Sequence, residues 1–339
     1  MLRLAIFLLV FTVPFTAFGQ SGSFVHNRLM FYNTENLFDT SDDSLTDDSE
    51  FLPGGPKGWS LSRYKRKTEG LYKTIMAAGE WDPPVIVALC EVENRGVLKA
   101  LVSGTGLSKY AYSIIHEESP DRRGIDVCMI YRPDRVKLVD THYWIPPGIA
   151  WQDFTSRSVL YTSFAIGDDT IHIIVNHWPS RRGGVLAAGN MRHMIAAMVK
   201  YKADSLCIKH PKARIIIAGD FNSNPGDPEI AILTERENGR CRIINLSDNN
   251  QGGNTGTYKY RGTWEMIDQV LVSESLIDSG YGLYADTGSF KIYNPPFLLA
   301  PDEKYSGQKP YSTYSGYIYN GGFSDHLPVL LDLKLREVK

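Results

Sequence analysis

Six short apolar runs in this chain end in, or are interrupted by, residues that can do chemistry. Phe31-Tyr32 leads into Asn33, Glu35 and Asn36. Ile86–Cys90 leads into Glu91, Ile173–Val175 into Asn176 and His177, and Ile215–Gly219 into Asp220 and Asn222. Asp268 interrupts Met266–Val272, and Ser324-Asp325-His326 precedes Leu327–Leu330. Any one of these has an ordinary explanation, since an Asp after a strand is most often a turn residue or a helix cap. Asp227-Pro228 is such a case, a cap followed by a first-turn proline. Asp268 is harder to dismiss: a lone carboxylate inside an apolar strand costs several kcal/mol, so it requires a partner, and His is the natural one. As a set, the residues offer carboxylates for a hard divalent cation, two imidazoles for proton transfer and amides to orient oxygens. Mg²⁺ takes one or two carboxylates and completes its shell with water and phosphate oxygens. That combination points to water attacking a phosphate ester, with the charge neutralised by metal and imidazolium.

Other chemistries lack their residues. The chain has no G-x-S-x-G, Walker A, H-E-x-x-H or dinucleotide-binding glycine motif, and its four Cys include no C-x-x-C pair for zinc. To converge, the candidate side chains must sit at one rim of a strand-rich scaffold. Strand patterns recur at Leu29–Tyr32, Val85–Cys90, Ile125–Tyr131, Val136–Trp144, Ser158–Ile166, Thr170–Val175, Ile215–Ala218, Met266–Val272 and Leu327–Leu333. Helical periodicity marks Leu61–Ala78 and Val185–Lys209, the latter with a stripe through Met191, Met194, Met198 and Tyr201 that reads as core. Strands outnumber helices, which implies an α/β protein with two packed sheets and helices outside. No linker divides the 339 residues and no repeat is visible, so one domain is expected over 23–339. The acidic run Asp39–Glu50 reads as a solvated loop, because calcium-loop spacing is missing. Tyr281–Tyr319, with eight of the 19 tyrosines, reads as a packed surface loop or a recognition surface.

In chain order these segments resemble the endonuclease/exonuclease/phosphatase superfamily, the fold of pancreatic deoxyribonuclease. Gly219-Asp220-Phe221-Asn222 and Ser324–Val329 are the most specific pieces, supported by Leu89–Asn94 and Ile267–Ser273. The resemblance runs from about Leu29 to Leu333 and implies a four-layer α/β/β/α sandwich of two mostly antiparallel sheets. It also implies roles. Asn33, Glu35, Glu91 and Asp325 look like the metal-site residues, for Mg²⁺ with Mn²⁺ able to substitute. Asp220 and Asn222 look like the pair that activates and orients water, and Asp268 like the carboxylate behind a catalytic His326. His177 matches branches that use two His, such as deoxyribonuclease and bacterial sphingomyelinase, and Asn176 before it looks like a substrate contact.

The N-terminus carries Arg3, an apolar run to Phe18 and a small-x-small site before Gln20. Residues 1–19 therefore read as a cleaved signal peptide and imply a secreted or periplasmic protein, and the run is too short to span a membrane. Without it the charge is 35 − 38 = −3, from 36 Lys plus Arg less Arg3 and 38 Asp plus Glu. A polyanion must then be met by local cations. The expected groups are Arg122 with Arg123, Arg181 with Arg182, and Lys259 with Arg261, with tyrosines 311–319 nearby for stacking. The leading expectation is an endonuclease acting on DNA or RNA. The alternative is hydrolysis of inositol phosphates, phospholipid headgroups or small phosphoesters; a non-catalytic binding module fits worse. The four Cys are expected to be buried free thiols.

Overall fold

The computed structural model describes residues 25–146, 156–181, 185–236, 241–248, 255–280 and 282–336. Residues 1–19 and Arg182 lie outside them. The first sheet collects β1 (Val25–Leu37), β2 (Ile86–Val92), β3 (Ser113–Ile115), β4 (Asp126–Tyr131), β13 (Gly282–Ile292) and β18 (Val329–Arg336), in the order β13-β18-β1-β2-β4-β3. The second collects β5 (Lys137–Trp144), β6 (Val159–Ile166), β7 (Asp169–His177), β8 (Arg214–Asp220), β9 (Ile243–Asn245) and β12 (Asp268–Ser273), ordered β5-β6-β7-β8-β12-β9. Among the described residues, only β1–β2 and β7–β8 pair in parallel.

Side-chain alternation builds the layers. In β1, Leu29 and Phe31 point into a core shared with Phe164, Ile173, Val175, Ile216 and Val270 of the second sheet. Met30 and Tyr32 point the other way, onto Leu71 and Ile75 of α1 (Leu61–Gly79) and Leu98 and Leu101 of α2 (Arg95–Gly104). Across the molecule Ile174, Ile215 and Ile217 meet α3 (Val185–Lys209) and α4 (Pro228–Thr234). Because β1, β2, β7 and β8 are sandwiched on both faces, they read as continuous apolar runs. The result is the four-layer α/β/β/α sandwich.

Three expectations change. The buried face of α3 passes through Ala188, Met191, Ile195, Val199 and Ala203, whereas Met194 (39% exposed) and Tyr201 (69%) face outward. A long helix with apolar residues on several faces does not reveal its phase until it packs. Gly282–Ile292, expected in a loop, is strand β13, registered along β18 at the edge of the first sheet. Cys90 and Cys128 are buried thiols, but Cys207 and Cys241 pair as a disulfide, with Cα atoms 5.7 Å apart. It ties the end of α3 to the segment entering β9. Closing a 34-residue separation constrains the unfolded chain by about 4 kcal/mol in the loop-entropy account. Cys207→Ser with Cys241→Ser is therefore expected to lower the Tm by several degrees while leaving turnover at 25 °C unchanged, read by calorimetry beside an activity assay; an unchanged Tm would show the bridge to be dispensable.

Candidate active site

The strand ends converge on one cleft of about 340 Å³, lined by Asn36, Glu91, Arg123, Arg157, His177, Arg181, Asp220, Asn222, Asp325 and His326, with Tyr258 and Tyr260. Register explains the convergence. Parallel pairing sets His177 opposite Asp220, antiparallel pairing sets Asp268 opposite Asp220, and β1 sets Asn33 beside Cys90, one residue before Glu91. Gly219 is required where β7 and β8 run together: a Cβ there would collide with the carbonyl oxygen of Asn176. The backbone turns sharply at the rim. Glu35, Asn36, Glu91 and Asn222 all have left-handed φ of 48–59°, uncommon outside glycine and concentrated at functional sites because the surroundings must hold it.

Asn33 bridges the two sheets. Its Nδ2 donates to Asp220 Oδ2 (2.9 Å) and Glu91 Oε1 (3.3 Å), while its Oδ1 accepts from the Glu35 backbone N–H (2.9 Å). That last bond sets the amide orientation, with Nδ2 turned toward the two carboxylates. Glu35, also expected near the metal, has both oxygens engaged. Its two oxygens accept from the backbone N–H groups of Thr313 (2.5 Å) and Tyr314 (3.0 Å), anchoring that segment to β1. Asn176, expected to touch substrate, is fully buried, with its oxygen taken by Trp178 Nε1 at 3.1 Å.

The two imidazoles occupy opposite environments. His326 Nδ1 lies 2.7 Å from Asp268 Oδ2, and its Nε2 faces Asp220 Oδ2 at 3.8 Å and Asp325 Oδ1 at 3.9 Å. Burial disfavours charge on the ring, but the carboxylates of Asp268 and Asp220 prevail, and its pKa is raised well above the ordinary range. His177 sits 3.6 Å from Glu91 Oε1 and 3.8 Å from Asp220 Oδ2. The Arg157 guanidinium lies along it, with Nε 3.2 Å from Nδ1 and Nη2 2.9 Å from Nε2. Burial first, then Arg157 and Arg123, hold His177 well below its ordinary pKa. Asp220 is buried and pushed up to about 7, with His326 opposing the rise and Asp268 adding to it. One charged imidazole, one neutral imidazole and a carboxylate near neutrality make an acid–base set.

Arg157 was not foreseen. It is buried, pairs with Asp121 at 3.5 Å and lines the cleft; the only sequence signal was a cation two residues before the apolar strand β6. Arg157→Met is expected to raise the midpoint of His177 titration by NMR while leaving it below 6.5, because burial still acts; an unmoved midpoint would remove Arg157 as a cause.

Of the other expected cations, Arg123 and Arg181 line the cleft. Arg181 is held by Glu265 Oε1 (2.9 Å), Asp227 Oδ2 (3.5 Å) and the Asn222 carbonyl (3.1 Å). Lys259 points elsewhere, into a 2.8 Å pair with Asp302, and Arg261 lies over Tyr260. The reason is hairpin alternation: in β10 (Tyr258–Tyr260) and β11 (Thr263–Glu265), Tyr258 and Glu265 face one side and Lys259 and Trp264 the other.

The sequence model of the Endonuclease/Exonuclease/phosphatase family matches residues 28–335. The chain belongs to that family. No curated protein matches the chain in sequence. Solved structures of similar fold include a mannosyl-6-phosphatase from Bacteroides thetaiotaomicron (16% identity, 91% of this chain and 99% of that one, TM-score 0.58). D. rerio TDP2 complexed with single-strand DNA product is another (14%, 91% and 98%, 0.54), and the human Nocturnin catalytic domain with a bound sulfate a third (16%, 92% and 96%, 0.55). At these identities the likeness carries the fold. Membership in the endonuclease/exonuclease/phosphatase family supports phosphoester hydrolysis as the reaction, and the acid–base set fits it.

Proposed function

We propose that the protein is an exported, Mg²⁺-dependent phosphoester hydrolase that takes one phosphate group into the cleft between Glu91 and His326. The observation that carries this reading is Asn33 joining Glu91 to Asp220, with Asp268-backed His326 on the far side. The residues fit a hard cation. Asp220 and Asp268 are committed to Asn33, Asn222 and His326, but Glu91 and Asp325 line the cleft with side chains 15% and 37% exposed, and carboxylate oxygens have lone pairs to spare. Mn²⁺ offers a substitute. Held by Glu91 and Asp325, such a cation would neutralise phosphate oxygens and polarise water. Asp220 takes the proton of the attacking water, and Asn222 shapes the turn that presents it by donating its backbone N–H to Asp220 Oδ1 (3.0 Å). Charged His326, held in one tautomer by Asp268, donates toward the phosphate or leaving oxygen. Arg157, Arg123 and neutral His177 line the same cleft.

A compact phosphoester suits this cleft best, because Arg181 and Lys259, which a polynucleotide would need, already answer acids of the chain. Inositol phosphates, phospholipid headgroups and small phosphodiesters fall in this class. Nucleic acid, endonucleolytically cut, is the second reading, favoured by the faces of Tyr258 and Tyr260 at the rim. A panel of plasmid DNA, RNA, sphingomyelin, inositol phosphates and a chromogenic phosphodiester tests both at low and moderate salt. Nuclease activity should fall by about one log unit per phosphate contact for each log unit of salt, whereas compact substrates should be nearly flat. Inactivity on the whole panel with metal present would sink the proposal.

A further inference from the structure

One lysine is buried beside the candidate site without lining its cleft. Lys67, on α1, has a side chain 1% exposed; its Nζ donates to Thr313 Oγ1 and to the Phe323 carbonyl, both at 2.6 Å, and lies 3.9 Å from Glu35 Oε2. Thr313 and Phe323 are the entry and exit of one excursion of the chain. Between them β16 (Tyr314–Ser315) and β17 (Ile318–Tyr319) form a hairpin, and immediately after it come Ser324, Asp325 and His326. The ammonium thus staples both feet of the hairpin. Glu35 grips the same foot through the Thr313 and Tyr314 N–H groups, and Ser324 Oγ donates to the Asn33 carbonyl (2.7 Å) while accepting from the His326 N–H (3.1 Å).

Stability alone is a poor reason for this arrangement, because replacing a buried ion pair with apolar groups of similar volume is often neutral or stabilising. What two short directional bonds provide is geometry. We infer that Lys67 is a positioning residue, which with Glu35 sets the exit of the 313–323 hairpin and so the placement of Asp325 and His326 against Asp220 and Glu91. The inference rests on the hydrolase reading above for its kinetic readout only. Catalysis is sensitive to such placement: a misplacement of about 1 Å can cost about 10²-fold.

Lys67→Met keeps the stem and removes the donors. In a folded variant, judged by near-UV circular dichroism, kcat on a chromogenic phosphodiester should fall at least ~10-fold with KM within about twofold. The side-chain ¹H–¹⁵N signals of His326 should move while those of His177 stay. A kcat within about twofold of wild type together with unmoved His326 signals would overturn the assignment. If Lys67→Met does not fold, Thr313→Val, which deletes one acceptor of the ammonium at constant shape, decides the matter: displaced His326 signals support it and wild-type signals refute it. Should the wild-type protein hydrolyse nothing on the panel, the hydrolase reading fails, yet the His326 signals still decide the role of Lys67.

Discussion

Asp268→Asn is expected to lower kcat by about 10²–10⁴-fold without unfolding the protein, the range for losing a positioned acid or the carboxylate that orients it. The direction of the pH change is equally specific. In the wild-type protein burial opposes charge on His326, and Asp268 leads the groups that overcome it. The ring therefore stays protonated well above the ordinary histidine range, and the alkaline limb of the activity profile lies where it finally loses its proton. With Asn in place of Asp268 the negative charge 2.7 Å from the ring Nδ1 is lost, burial gains ground, and the alkaline limb moves to lower pH. The acid limb, set by Asp220, which burial pushes up to about 7, moves the same way: removing the nearby negative charge makes Asp220 easier to ionise. The profile should shift bodily toward acid. An alkaline limb unchanged in Asp268→Asn would show that His326 is not the acid.

Glu91→Ala is expected to reduce turnover by about 10³-fold or more, the scale of several kcal/mol of transition-state stabilisation. Equilibrium dialysis with Mn²⁺ should show the matching loss of binding, and exhaustive EDTA treatment should bring the wild-type protein to the same floor, restored by Mg²⁺ or Mn²⁺. Glu91 is the sharper probe than Asp325 because it is fixed from both sides, by Asn33 Nδ2 on one oxygen and the Asn36 N–H (3.0 Å) on the other. Glu35→Gln should behave differently: it should loosen the Thr313–Tyr314 anchor and leave Mn²⁺ binding nearly intact. Full activity in chelated protein of confirmed zero metal content would remove the metal from the mechanism.

Much of this was legible in the residues themselves. Apolar runs ending in Asn, Glu, His or Asp mark strand termini, because a buried strand excludes polar side chains until it reaches a rim; that periodicity carried the two sheets and the residues His177, Asp220, Asn222, Asp268 and His326 without reference to any neighbour. An acid inside a strand had to have a partner, and Asp268 has His326. The hydrogen-bond and ion-pair partners of Asn33, Glu35, Asn176 and Lys259 were decided only in three dimensions. Residue type says which hydrogen bonds a side chain can make, not which it does make. Asn33 and Glu35 lie two apart on β1, yet a left-handed turn sends one to Glu91 and Asp220 and the other to the backbone of a segment 278 residues later. Arg157 and Lys67 carried no motif at all. A buried cation is recognisable only once the groups that surround it have been brought together, because it is their desolvation and their long-range pairing, not the local sequence, that give such a residue its function.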